Sequence, residues 1–258
     1  MISTLTINPS ETEKQIVSFI KNTVDQAGFF RVVVGLSGGI DSAVSCALAV
    51  EALGAENVFP VMLPYGKLND EATKDARSVI KSLQIPHTNI TVIDIQKIVE
   101  QFVSLNFGMD KLRKGNIIAR VRMTCLFDLS KKYQALVLGT ENKTEHLLGY
   151  YTRFGDAASD IEPLIHLYKT QVRQLAVHLN IPGKIIDKVP SAGLWEEQTD
   201  EGEFGFTYED ADKVLSLYVD GNKNEEEVVQ LGVKEETFNK IVKRLKINSF
   251  KCKLPYTL

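Results

Sequence analysis

A chain of 258 residues with 44% apolar and 24% charged residues has ordinary globular usage and enough apolar surface to bury a core without staples. Its net charge of -3 points away from a nucleic-acid partner, and no apolar run approaches the roughly 20 residues of a membrane span. The three cysteines, Cys46, Cys125 and Cys252, are widely spaced with no CxxC pair; they indicate neither a zinc knuckle nor a disulfide framework and fit a reducing, cytoplasmic setting.

Residues 10–27 predict an amphipathic helix, with Ser10 as N-cap, Glu13 completing a capping box, and Ile16, Phe19, Ile20 and Val24 at helical spacing. "FRVVVGL" (30–36) is a short β-branched run suited to a buried parallel strand. A helix from Asp41 to Leu53 follows, ended by Gly54. The alternation then repeats. "NVFPVMLP" (57–64) predicts a strand, 70–83 a helix capped by Asn69 or Asp70, "TNITVIDI" (88–95) a strand, and 96–107 a helix. A long helix spans about 114–132, with Ile117, Val121, Cys125, Leu126 and Leu129 on one face, and "ALVLGT" (135–140) is a fourth strand. Strands alternating with helices imply βαβ crossovers and an α/β fold, a doubly wound parallel sheet with helices on both faces.

Beyond about residue 190 the period is lost. "PSAGLWEEQTDEGEFGF" is acidic and glycine-bearing, and its length suggests a functional lid over 191–206. Helical patterns return at 207–219, 224–232 and 234–248, and the tail "SFKCKLPYTL" is basic and strand-like or irregular. No linker separates independent units, so 1–258 reads as one domain.

The chemistry concentrates at Gly35, Leu36, Ser37, Gly38, Gly39, Ile40, Asp41 and Ser42. Gly38 and Gly39 can take positive φ and let a ligand approach the backbone, and the turn feeds a helix N-terminus that attracts anions. Ser37 and Ser42 add hydroxyl donors. The loop lacks both the spacing and the lysine of a Walker loop. A carboxylate beside polyphosphate makes sense with Mg2+ between them, because magnesium takes one or two protein carboxylates together with phosphate oxygens. Asp41 is therefore a candidate metal ligand.

"GLSGGIDS" resembles the signature of the N-type ATP pyrophosphatases, which cleave ATP between the α and β phosphates, form an adenylate and release pyrophosphate. "KGNIIARVRM" (114–123), "LGTENKTEHLLGYYTRFGDAASDIEPL" (138–164), "YKTQVRQLA" (168–176) and "PSAGLWEEQTDEGEFGFTYEDAD" (190–212) are together similar to the NAD synthetase family, in order and over nearly the whole chain. The resemblance implies an adenine nucleotide alpha hydrolase-like fold. It also implies ATP-dependent amidation of deamido-NAD+ by ammonia, giving NAD+, AMP and pyrophosphate.

The same resemblance assigns residues. Thr140, Lys169 and Ser191 would contact ATP, with Lys169 neutralising the leaving pyrophosphate. Asp41 and Glu145 would hold Mg2+. Asp41 and Lys169 would be the catalytic pair. Arg120, Arg153, Asp160, Phe250 and Lys251 would hold deamido-NAD+. The family more often has Lys at the position of Arg153 and His at that of Phe250. Trp195 and Phe204 are candidates to seal the lid, and Asp200, Glu201 and Glu203 to steer ammonium. No span has room for the large amidase domain of glutamine-dependent relatives, so free or delivered ammonia is the expected nitrogen source. The family implies a homodimer with the dinucleotide site at the subunit contact. Two rival readings are another enzyme of the same superfamily, and a nucleotide-binding sensor without turnover.

Overall fold

The computed structural model describes residues 5–105 and 108–253. Four strands form one parallel sheet in the order β3-β2-β1-β4: β1 is Val32–Gly35, β2 Val58–Met62, β3 Thr91–Val92 and β4 Leu136–Leu138. In chain order the helices are α1 Pro9–Gln26, α2 Ile40–Leu53, α3 Asp70–Ser82, α4 Gln96–Ser104, α5 Lys111–Tyr133 and α6 Lys143–Leu148. They continue as α7 Lys169–His178, α8 Gly183–Ile186, α9 Asp200–Phe204, α10 Tyr208–Leu215, α11 Glu225–Gln230 and α12 Glu235–Asn248.

The sheet is doubly wound, as its residues predict. Side chains alternate across a strand, and β1 shows it: Val32 and Val34 join one core with α1, α2, α3 and α7, while Val33 joins another with α4 and α5. Both faces are covered, which is why β1 is apolar at every valine rather than at alternate positions. A third core lies outside the sheet. Leu148, Tyr208, Val214, Val228, Phe238 and Ile241 pack the C-terminal helices on each other.

Several boundaries differ from the sequence expectation, each for a local reason. The N-cap of α1 is Asn8, whose side chain accepts from Glu11 N, and not Ser10. Pro9 stands at the first turn, where its missing N–H costs nothing. Asp110 caps α5 by accepting from Arg113 N at 2.7 Å, so that helix starts before 114. Asn69 precedes α3 but does not cap it with its side chain. Its amide instead accepts from Tyr65 N at 2.9 Å and donates to the Gly193 carbonyl at 3.1 Å. The last two residues of the predicted 96–107 helix and residues 254–258 of the tail lie outside the described residues, while Ser249–Cys252 of the tail forms a 3-10 helix and not a strand-like piece. The segment 191–206 is not structureless throughout, because Thr199 caps α9 within it.

The chain winds outward from β1 to β2 and β3, then returns to place β4 on the other side of β1. Open parallel sheets bind ligands outside the carboxyl ends of their strands at such a reversal. The carboxyl ends of β1 and β4 therefore define where the site lies.

Candidate active site

At the end of β1 the chain turns through Leu36–Gly39 into α2. Gly38 has φ +74°, and a Cβ there would run into the Ala72 carbonyl of α3, so only glycine fits. The hydroxyls of this loop hold the loop itself. Ser42 Oγ donates to the Gly39 carbonyl at 3.0 Å, and Ser37 Oγ accepts from Gly39 N at 3.3 Å. No side chain caps α2, so its first N–H groups face the loop without a side-chain acceptor. That arrangement attracts an anion.

At the end of β4, Gly139, Thr140 and Glu141 lead into α6. Asn142 and Glu145 form a capping box there, which aims both side chains back at the switch point. Asn142 Nδ2 donates to Asp41 Oδ1 at 2.9 Å across the gap between the two strand ends. Lys169, the first residue of α7, completes the group. Its Nζ lies 2.5 Å from Asp41 Oδ2 and 3.1 Å from Glu145 Oε1, and its side chain is only 3% exposed. Tyr208 OH donates to Asp200 Oδ2 at 2.9 Å and lies 3.3 Å from Glu145 Oε1. Tyr150 OH closes the group on Asp200 Oδ1 at 3.0 Å.

Electrostatics at this point is short of positive charge. Two carboxylates meet one ammonium, with Asp200 behind them. Burial pushes Glu145 well above the ordinary carboxylate range despite the attraction of Lys169, and the negative charges of Asp41 and Asp200 push it the same way. Burial alone would lower Lys169, but Asp41 and Glu145 outweigh it and hold the ammonium charged. Asp200 is raised by burial against the pull of Lys169. A further cation between Asp41 and Glu145 would relieve the deficit. Among the described residues no cluster of three or more His, Cys, Asp or Glu stands ready as an all-protein metal cage. A two-carboxylate site completed by phosphate oxygens suits Mg2+.

A hollow of about 250 Å³ adjoins the β4–α6 turn, with Glu141, His146, Tyr151, Arg153 and Lys251 in its wall. The structure brings four of the five expected dinucleotide residues together. Arg120 Nε donates to the Arg153 carbonyl at 3.3 Å, and the Arg153 guanidinium stands 5.1 Å over the Phe250 ring. Lys251 Nζ donates to the carbonyls of Gly149 and Tyr151 at 2.6 and 2.8 Å. Asp160 is the exception. Its carboxylate accepts from Val137 N at 2.7 Å and so braces β4. Ser191 is exposed on the loop after α8, where its hydroxyl accepts from Gly193 N at 3.1 Å.

Two expectations for the loop need correction. Phe204 is buried among Tyr150, Phe206 and Tyr208 in the C-terminal core, so it does not seal a lid. Asp200 is buried beneath its two tyrosines and so cannot act from the surface, whereas Glu201 is half-buried and Glu203 exposed; the three acids do not form one open cluster. Sequence reasoning also missed Asn142 and Tyr208. The capping pattern Asn-x-x-Glu at 142–145 was a usable signal for the first. Tyr208 gave none, because its role depends on a contact 63 residues away.

A glycine-rich turn and an acid–lysine group facing each other across a strand reversal mark a nucleotide-using α/β enzyme. Comparison with known proteins narrows that class. Residues 12–255 match the family model described as NAD synthase, and the chain belongs to that family. It is 42% identical over 251 residues to the NH(3)-dependent NAD(+) synthetase of Fusobacterium nucleatum, covering 97% of this chain and 96% of that protein. Among solved structures it resembles the NMN synthetase of Francisella tularensis, with a TM-score of 0.86, 35% identity, and coverage of 98% and 99% of the two chains. It also resembles the NH3-dependent NAD synthetase of Campylobacter jejuni, with a TM-score of 0.83, 30% identity, and coverage of 98% and 100%.

Proposed function

We propose that the protein is an NH3-dependent NAD+ synthetase that converts deamido-NAD+, ATP and ammonia to NAD+, AMP and pyrophosphate. The observation that carries this reading is the convergence of Asp41, Glu145 and Lys169 at the mouth of the Gly35–Ser42 loop.

The nicotinate carboxylate has no good leaving group. One of its oxygens attacks the α-phosphorus of ATP, the bond to the bridging oxygen breaks, and pyrophosphate leaves with that electron pair. The acyl adenylate then takes ammonia at the acyl carbon, AMP departs with its oxygen, and a proton is released to leave the amide. The protein binds, orients and neutralises; it needs no nucleophile of its own. Backbone N–H groups of the loop and α2 receive the phosphates. Lys169 would balance charge on the departing pyrophosphate, and Thr140 and Ser191 would contact the nucleotide. Asp41 and Glu145 would hold Mg2+, which supplies charge neutralisation of the phosphate oxygens when bound. Arg120, Arg153, Phe250 and Lys251 would receive the dinucleotide, and Asp160 would support β4 beside it.

A homodimer in a cytoplasmic setting belongs to the same reading. Apolar Ile98, Phe102 and Leu105 on and just after α4, and Leu112 on α5, are exposed and suit a partner copy. Light scattering tests this: Leu105→Glu is expected to shift a dimer toward monomer. No helix among the described residues is long and apolar enough to cross a membrane.

Likeness to an NMN synthetase supports a second reading, in which nicotinate mononucleotide is the better acyl substrate. The decisive assay supplies ATP and Mg2+ with each acid substrate, and with either ammonium or glutamine. NAD+ and AMP formed with ammonium, at a higher kcat/KM for deamido-NAD+, support the first reading. A higher kcat/KM for the mononucleotide replaces it with the second.

A further inference from the structure

Lys188 lies in none of the expected roles, yet it touches the phosphate loop. Its Nζ donates to Asp75 Oδ2 at 2.7 Å and reaches the Gly38 carbonyl at 3.4 Å. Asp75 is on α3, one turn beyond Ala72, whose carbonyl fills the space beside Gly38. The Asp75 side chain is only 3% exposed. A buried carboxylate this close to a triphosphate cradle would repel the ligand unless it is neutralised, and an unpaired one would be costly to the fold. Burial would raise Asp75, but Lys188 and Lys184 hold it below its ordinary value, so it is ionised and paired. The two lysines differ in exposure. Lys184 is 63% exposed and shared with Glu71, whereas Lys188 is the more shielded partner.

We propose that Lys188 is a positioning residue for ATP: tethered by Asp75, its ammonium fixes the Gly38 peptide and supplies positive charge beside the β- and γ-phosphates. The pair also links three segments that must agree for binding: the phosphate loop, α3, and the stretch that carries Ser191 three residues later. This inference rests on the reading of Gly35–Ser42 as the triphosphate cradle.

The test is ATP and AMP binding to the full chain by calorimetry, at a temperature where every variant is folded. Lys188→Met is expected to weaken ATP by about tenfold or more, the scale of one lost hydrogen bond to a charged group. AMP, which lacks the β- and γ-phosphates, should change less than about twofold on the same scale. Lys188→Arg should recover most of the loss. In an Asp75→Asn background the further effect of Lys188→Met should be smaller than in the parent, because the two side chains act through each other. If Lys188→Met folds poorly, Lys188→Gln carries the same test. An ATP affinity of the folded variant within about twofold of the parent, whatever its Tm, overturns the proposal and leaves Lys188 a structural counter-ion. A parent that binds no ATP overturns the cradle reading itself, and the inference with it.

Discussion

Lys169 is a buried ammonium between two carboxylates, so its removal must be felt twice. Lys169→Met leaves Asp41 and Glu145 facing each other unpaired, and breaking a buried pair typically costs about 3–5 kcal/mol. The same variant loses charge balance on the leaving pyrophosphate, for which about a 100-fold fall in kcat is the usual scale. Adding Glu145→Gln should restore much of the Tm but none of the activity; calorimetry and pyrophosphate release read the two separately. A second residue-scale prediction concerns Glu162. Burial pushes its carboxyl from an ordinary 4.5 up to about 7, with the charge of Glu141 adding to the rise. A folded value above the unfolded one means stability that is complete below about pH 4.5 and is lost as pH rises toward 7. The gap corresponds to at most about 3 kcal/mol. Glu141 is raised by burial, and His146 is raised by its bond to Glu141, so both tilt the same way. Glu162→Gln should therefore narrow the Tm difference between pH 5 and pH 8, and an unchanged difference would refute the assignment. The sequence marked Asp41 through the chemistry of a carboxylate in a phosphate-binding turn, and Lys169 through motif resemblance. It was silent on Glu162, whose shift arises from a fold that tucks its carboxylate against Gly139.

Among the elements, the loop after α8 is the part least legible beforehand. Its composition suggested a lid, but composition does not say what the loop rests on. Two contacts dock it here, and one bond braces it internally. Asn69 donates to the Gly193 carbonyl, Gln198 accepts from Leu194 N at 2.8 Å, and Leu194 and Trp195 lie on Gly115 of α5. The strands and long helices were easier because an apolar period repeats within them, whereas these contacts join positions far apart in sequence. Even the short helix α6 carried a local sign in its capping box, while α9 was hidden in a stretch without period. Gly115→Ala tests the docking. In an exposed helix interior alanine would gain about 0.5–1 kcal/mol over glycine. At this site its Cβ would meet Leu194 Cδ1 at 3.0 Å and Trp195 Cζ3 at 3.4 Å. The expected outcome is a displaced loop with α5 intact. Trp195 is the chain's single tryptophan, so its emission should move to the red and its acrylamide quenching should increase. Unchanged quenching would show that Leu194 yields in place and that Gly115 is not what seats the loop.

The whole molecule joins a sheet with two packed faces to a C-terminal helical core, and polar side chains cross the boundary. Thr144 Oγ1 donates to Asp212 at 2.5 Å and Lys143 Nζ to Asp220 at 2.7 Å. The acid–lysine group itself draws Asp41, Glu145 and Lys169 from the sheet side and Tyr208 and Asp200 from the other. If the helical core unfolded alone, the Thr144 hydroxyl, the Thr170 N–H and the Glu145–Lys169 group would lose their partners Asp212 and Tyr208, a cost that couples the two parts. The prediction is one cooperative transition, with calorimetric and van't Hoff enthalpies equal. ATP with Mg2+ at about 100 times its Kd should add about 2.7 kcal/mol, a Tm rise of roughly 5–10 °C for a chain of this size. Because the site spans both parts, circular dichroism and the calorimetric peak should move together. Two resolved peaks, with only one displaced by nucleotide, would mean that the polar bridges do not couple the halves and that the nucleotide is held by the sheet alone.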